Sequence, residues 1–189
     1  IMFRSSEFLI SEKRFFWASD TPDVCSVTDI GPKGNYRRGG CCAVLTHISS
    51  GIRFFLMCSH ACYNDEPNAR YASVYQAMES RYNPERLPSF FVGDLNTSPD
   101  SEASRAYRRY WNDACLTVER SSRTGLLNTY NDYDCPLGIS RIDYLYYRGG
   151  GIDVVSYNCD GSLYGGSYAS DHFPVTAVVR SSDEADSRV

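Results

Sequence analysis

Three short strings bring carboxylate, amide and imidazole groups together at spacings that chemistry can use. Gly93-Asp94-Leu95-Asn96 closes an apolar run, Ser89 to Val92. A strand continuing through this string would point Asp94 and Asn96 to the same face. A carboxylate beside an amide can hold a hard divalent cation or orient a water for attack on phosphorus. Alone, such a pair is more often a turn former. Ser170-Asp171-His172-Phe173-Pro174-Val175 offers a metal-ligand carboxylate, Asp171, and an imidazole, His172, or simply a strand-initiating turn. Arg141-Ile142-Asp143-Tyr144 sets Asp143 in an apolar segment, where a carboxylate is costly unless paired. An imidazole N–H would suit it, fixing the ring's tautomer and stabilising its charged form. The exposed face of an edge strand would suit it equally.

A fourth string, Cys58-Ser59-His60, ends another apolar run, and His60 there could protonate a leaving alkoxide. Cys58, His60 and Cys62 alternate onto one face, and a hairpin would bring Cys42 near Cys58, so a zinc site is an alternative. Structural zinc sites favour paired CxxC-type spacings, which are absent here, and packed thiols beside a catalytic histidine are the preferred reading.

The elements that must position these groups are mostly strands. FFWAS (15–19), CCAVLTHIS (41–49), IRFFLMCSH (52–60), SFFVGDLN (89–96), RIDYLYY (141–147), IDVVSYN (152–158) and HFPVTAVV (172–179) are apolar or alternating runs. Ser50-Gly51 predicts a hairpin turn, and SFFVGDLN reads as a strand buried on both faces, opening into a cleft. Helices are predicted over 69–78, ending before Asn83-Pro84, and after Asp100-Ser101 through Tyr110. Between the first two runs, DIGPKGNYRRGG has the length of a functional surface loop. Strands outnumber helices, and the expectation is an α+β domain with a sheet core.

Composition narrows the function classes. The 189 residues make one domain, 42% apolar and 22% charged. Nineteen basic against 23 acidic residues give a net charge of −4, which excludes a whole-surface basic footprint for nucleic acid. No run approaches the ~18 apolar residues of a membrane-spanning helix, and the first residues do not form a signal peptide as they stand. Eight cysteines without a CxxC pair do not read as a secreted disulfide framework. Reduced thiols are expected, and with them an intracellular setting. Ser181–Val189 reads as a polar tail.

The order GDLN, RIDYLYYRGG, SDHFPV resembles the endonuclease/exonuclease/phosphatase superfamily, the metal-dependent phosphoesterases that include deoxyribonuclease I, exonuclease III and the nocturnin-like deadenylases. FFWASDTPDV looks like that family's strand-and-loop element, with Asp20 in place of the usual Glu. NARYASVYQAM resembles its helix, and Leu163 to Val179 its run into the final strand. The resemblance covers most of residues 1–180. It implies a deoxyribonuclease I-like two-sheet β-sandwich flanked by helices, in four layers, with the active site where strand ends converge. Carried over, Asp94 and Asn96 would position the nucleophile or a divalent cation, and Asp171 would be a metal-ligand carboxylate. His172 would act on the phosphate or the nucleophilic water, oriented by Asp143, and His60 matches the family's other histidine. Family members begin with a further upstream segment bearing a metal-coordinating Glu and an active-site Asn. The expected fold is therefore incomplete at its N-terminus, and no residue here takes that Glu's role. Cys58 and Ser59 stand where Asn and Thr usually precede the histidine, and a second histidine after it is missing.

The implied chemistry is in-line hydrolysis of a phosphodiester or phosphomonoester with Mg2+ or Mn2+ offsetting charge on the oxygens. The alternatives are a catalytically impaired relative that binds a phosphorylated ligand or a protein, and a zinc or redox module on Cys58 and Cys62. Nucleic acid and small phosphoesters are both compatible substrates, because the same constellation serves either. Fifteen tyrosines would suit base stacking as well as core packing. Arg37 and Arg38 are the candidates for a substrate-phosphate contact, against a solvated loop, and a monomer is expected.

Overall fold

Alternation and β-branched or aromatic content turn the apolar runs into strands, and a computed structural model describes residues 1–31 and 34–181 of the chain. Six strands form one sheet: β1 (Phe8–Trp17), β4 (Gly39–His47), β5 (Arg53–Ser59), β6 (Ser89–Asp94), β9 (Asp143–Arg148) and β7 (Asn112–Asp113), in that spatial order. Within this sheet, only β5 and β6 run parallel. Between β1 and β4, β2 (Asp29–Gly31) and β3 (Gly34–Tyr36) make a small ribbon from part of the loop segment. A second, mixed sheet holds β11 (Val175–Ser181), β10 (Ile152–Cys159) and β8 (Arg123–Gly125). Gly51, at a backbone φ of +72°, completes the predicted β4–β5 hairpin.

The parallel β5–β6 step requires a crossover, supplied by α1 (Asp65–Tyr82). It is longer than the predicted 69–78, with Asp65 and Glu66 in its first turn and Arg81 in its last, as the helix dipole favours. Pro84 follows at once and stops it. Its buried positions, Asn68, Tyr71, Ala72, Tyr75 and Met78, fall at helical spacing. With α2 (Glu102–Tyr107), it covers one face of the large sheet. Tyr75, Phe91, Tyr107 and Trp111 form the aromatic centre there, with Phe91 4.9 Å from the Tyr75 ring and 5.3 Å from Trp111. The short α3 (Ala114–Thr117) joins Val154 and Tyr157 of β10 and Tyr147 of β9 in a second core.

Two mixed sheets flanked by a few helices are the deoxyribonuclease I-like α+β fold that the motifs implied. Ser181, the first residue of the predicted tail, still belongs to β11, and the rest of that tail lies outside the described residues. On the inner face of the large sheet, Phe54, Leu56, Phe90, Val92 and Leu145 line an open apolar groove of about 390 Å3. Phe90 and Val92 are therefore half-buried, whereas the predicted burial of this strand on both faces holds fully only for its helix-covered side, at Phe91.

Candidate active site

The register of β6 against β9 builds the site. Phe90 pairs with Tyr147, Val92 with Leu145, and Asp94 with Asp143. Alternation puts these three pairs on one face, so two carboxylates stand directly opposite each other at the strand ends. Opposed residues in an antiparallel ladder have Cα atoms about 4.5–5.5 Å apart. Each carboxylate takes one imidazole. His172 Nδ1 lies 2.7 Å from Asp143 Oδ2, and His60 Nε2 lies 3.1 Å from Asp94 Oδ2.

Burial differs between the two pairs. Asp143 and His172 side chains are 21% and 24% exposed, whereas His60 is 58% exposed over an Asp94 at 18%. Burial works to lower the His172 pKa, but the hydrogen bond and charge of Asp143, with the charges of Asp94 and Asp171, raise it above the ordinary imidazole value. For Asp94, burial works upward, yet hydrogen bonds from His60 and the Asn96 N–H hold it below the usual carboxylate range.

Asn96 is not placed by strand alternation. The strand ends at Asp94, and Asn96 sits in the left-handed region at φ +48° with its N–H donating to Asp94 Oδ1 (2.8 Å). Its side-chain amide donates to the Ala61 carbonyl (3.2 Å), leaving Oδ1 as the atom available to a ligand. Asp171 precedes His172 in a turn rather than a strand, because β11 starts only at Val175. An isolated bridge pairs His172 with Tyr130, whose ring packs edge-on against the imidazole at 5.2 Å. Asn131 holds the same turn, its N–H donating to Asp171 O (2.7 Å) and its amide to Ser170 O (3.2 Å).

The expected neighbourhood of Cys42 and Cys58 is corrected. Cys58 is opposed by Cys41, not Cys42, whose partner is Met57. Cys42 therefore points into the helix-covered core, where burial pushes its thiol up to about 12. Cys62 is also buried, its thiol donating to Thr28 O. The alternating zinc set is thus dispersed, and among the described residues no three His, Cys, Asp or Glu side chains gather to hold a metal.

Arg37 and Arg38 lie between β3 and β4. Arg37 is exposed, and the Arg38 guanidinium lies 5.0 Å over the Tyr36 ring. Next to it, Gly39 O accepts the Ser59 hydroxyl (2.9 Å), adjacent in sequence to His60. Thr129, Tyr130 and Asn131, which surround the His172 turn, lie in a segment without periodicity and were not singled out by the sequence. The polar Thr-Tyr-Asn string was the one available signal.

Hard oxygen donors are present: Asp94, Asn96 Oδ1 and Asp171. They suit Mg2+ or Mn2+, which take one or two carboxylates and fill their shells with water and substrate phosphate. A closed protein cage is not required by that chemistry.

Residues 8–172 match the sequence pattern of the Endonuclease/Exonuclease/phosphatase family. The chain belongs to this family. It superposes on an endonuclease/exonuclease/phosphatase family protein from Bacteroides thetaiotaomicron with a TM-score of 0.81 and 25% identity, over 94% of this chain and 67% of that one. A mannosyl-6-phosphatase of Bacteroides thetaiotaomicron matches at TM-score 0.78 and 25% identity, over 94% and 68%. TDP2 of D. rerio, solved with a single strand DNA product, matches at 0.66 and 16% identity, over 94% and 70%, and shows the fold alone. No curated protein sequence matches the chain. Family membership makes phosphoester hydrolysis the chemistry of its relatives, and no helix of the described residues is long and apolar enough to cross a membrane.

Proposed function

We propose that this chain is a divalent-metal-dependent phosphoesterase hydrolysing a phosphodiester or phosphomonoester by in-line attack of water. The observation that carries the reading is the Asp94–Asp143 register, which sets two His–Asp pairs side by side at converging strand ends. Asp143 holds the His172 Nδ1 proton, which leaves Nε2 to accept a proton from the attacking water. His60, held by Asp94 through Nε2, donates a proton to the leaving oxygen. Mg2+ or Mn2+, held by Asp94, Asn96 and Asp171, would offset the charge that develops on phosphorus-bound oxygens. Arg37 and Arg38 supply a phosphate or leaving-group contact. A mannosyl-6-phosphatase and a protein solved with a single strand DNA product among the structural neighbours are consistent with either a small phosphoester or a nucleic acid as substrate.

The test is turnover of bis(p-nitrophenyl) phosphate and p-nitrophenyl phosphate in Mg2+ and in Mn2+. Activity that chelator removes, and that His172→Ala abolishes in a folded protein, is expected. A folded chain inactive on both esters in both metals would overturn the reading and leave a phospho-ligand binding module.

A further inference from the structure

We infer that Thr129 is the positioning residue of the Asp143–His172 pair, a role in catalysis that rests on the phosphoesterase reading above. Thr129 is fully buried. Its hydroxyl oxygen accepts two backbone N–H groups, those of Ile142 and Asp143, at 3.0 Å each. Its carbonyl accepts the Phe173 N–H at 2.6 Å, and its own N–H donates to Ser140 O at 2.8 Å. One residue thus grips the backbone of Asp143 with its side chain and the residue after His172 with its main chain.

The need for such a grip follows from where the pair sits. Asp143 is the first residue of β9, and the ladder toward β6 stops there at Asp94. His172 lies in a turn, tied to the rest of the fold by the bridge to Tyr130 rather than by a sheet. A strand-end group and a turn group must nonetheless keep a 2.7 Å contact. Neither sheet alone sets that distance, because β9 belongs to the large sheet and the chain after His172 leads into the small one. Thr129 spans the two. Asn131 extends the grip to Ser170 and Asp171, so the short run 129–131 holds both sides of the pair in one piece. Without the Thr129 hydroxyl, the Ile142 and Asp143 N–H groups lose their acceptor, and the start of β9 must move to find another.

Thr129→Val preserves shape and removes the acceptor, whereas Thr129→Ser keeps it. The first readout needs no activity. Long-range 1H–15N spectra of the wild type, recorded with the ring neutral, should show the His172 proton on Nδ1, with His172→Gln supplying the assignment. Thr129→Val should shift that proton toward Nε2, while Thr129→Ser keeps the wild-type pattern. Amide exchange at Asp143 should quicken only in the valine variant. The second readout is kinetic: kcat falls about 10²-fold in Thr129→Val, as for a misplacement near 1 Å, with little change in KM, and Thr129→Ser restores it. If Thr129→Val does not fold, Thr129→Cys, which fills the space with a weak acceptor, takes its place. A folded valine or cysteine variant with the wild-type tautomer and unchanged Asp143 exchange would overturn the inference. An inactive wild type with the expected spectra would refute the phosphoesterase reading while leaving the positioning role standing.

Discussion

Gly93→Ala tests how tightly the strand ends are set. Gly93 sits one residue before Asp94, at φ +138°, and a Cβ there would lie 1.9 Å from the Ser59 carbonyl oxygen. Contacts below 3.0 Å are essentially never tolerated, so the gap must open by at least 3.0 − 1.9 = 1.1 Å. The obstacle is backbone, so no rotamer change relieves it. The same gap is crossed by the His60–Asp94 contact at 3.1 Å and by the Ala61 N–H to Asp94 O hydrogen bond at 2.9 Å. Opening it pulls both apart. Overpacking of this kind costs about 1–3 kcal/mol, and forcing a non-glycine residue into that backbone region costs about 1–3 kcal/mol more. Taken together, a loss of about 2–6 kcal/mol is expected, which at a urea m-value near 2 kcal/mol/M moves the midpoint down by roughly 1–3 M. Displacement near 1 Å at the His60–Asp94 pair should also lower kcat about 10²-fold. Gly51→Ala is the control: Gly51 also has a positive φ, +72°, but nothing lies within 4 Å of its Cβ position. It should lose only about 1 kcal/mol. The reasoning is refuted if Gly93→Ala unfolds at the same urea concentration as Gly51→Ala with unshifted His60 ring resonances.

Three further outcomes follow from the same geometry. Phe91 is fully buried beneath the helices, so Phe91→Ala should cost about 3–5 kcal/mol in urea unfolding. Phe90→Ala, one residue away on the open groove, should cost clearly less, and equal losses would contradict the facing assigned here. Arg141 and Asp113 form a buried bidentate ion pair at 3.0 and 2.7 Å, so Asp113→Asn should destabilise by about 3–5 kcal/mol. Arg141→Met with Asp113→Leu should recover most of it, less about 1 kcal/mol for the lost cap on α3, and failure to recover would show the pair to be irreplaceable. The raised His172 pKa gives a stability term fully present below the unfolded value, near pH 6.5, and lost as pH rises through the higher folded value. The stability advantage of wild type over His172→Gln in metal-free buffer should therefore shrink above about pH 6.5, and an advantage that grows instead would reverse the assigned sign.

Strand existence was legible because each apolar run carries its own period, but register was not. The expected Cys42–Cys58 neighbourhood is off by one residue, and in a sheet such a slip exchanges the faces. Both faces of β4 are largely buried, so its sequence lacks the polar alternation that would have fixed the facing. Asp143 was legible for a different reason: a carboxylate in an apolar run demands a partner, and imidazole was the right kind. Its identity, His172, came from the resemblance and not from spacing, and the fold agrees: His47 lies at the opposite end of β4 from Gly40, the residue that pairs with Ser59, and contacts Ser50 instead. Asn96 shows the limit of period-2 reasoning, because Asp94 itself ended the strand by accepting the Asn96 N–H.

Thr129 shows a deeper limit. Its three hydrogen-bonding groups reach residues 11 to 44 positions away, and nothing in its neighbours' composition reports a role that exists only after two sheets have met. The division has a functional consequence. Asp94 and Asp143 sit at strand ends that the sheet register fixes, whereas Asn96, Asp171 and His172 are held by turns, and on the proposed reading these groups would carry the same phosphorus chemistry on any ester. On that reading, choice of substrate would fall to the irregular segments, those bearing Arg37 and Arg38 and those around Tyr130. Exchanging these segments for a relative's should change which ester is accepted, while the effect of His172→Ala stays the same.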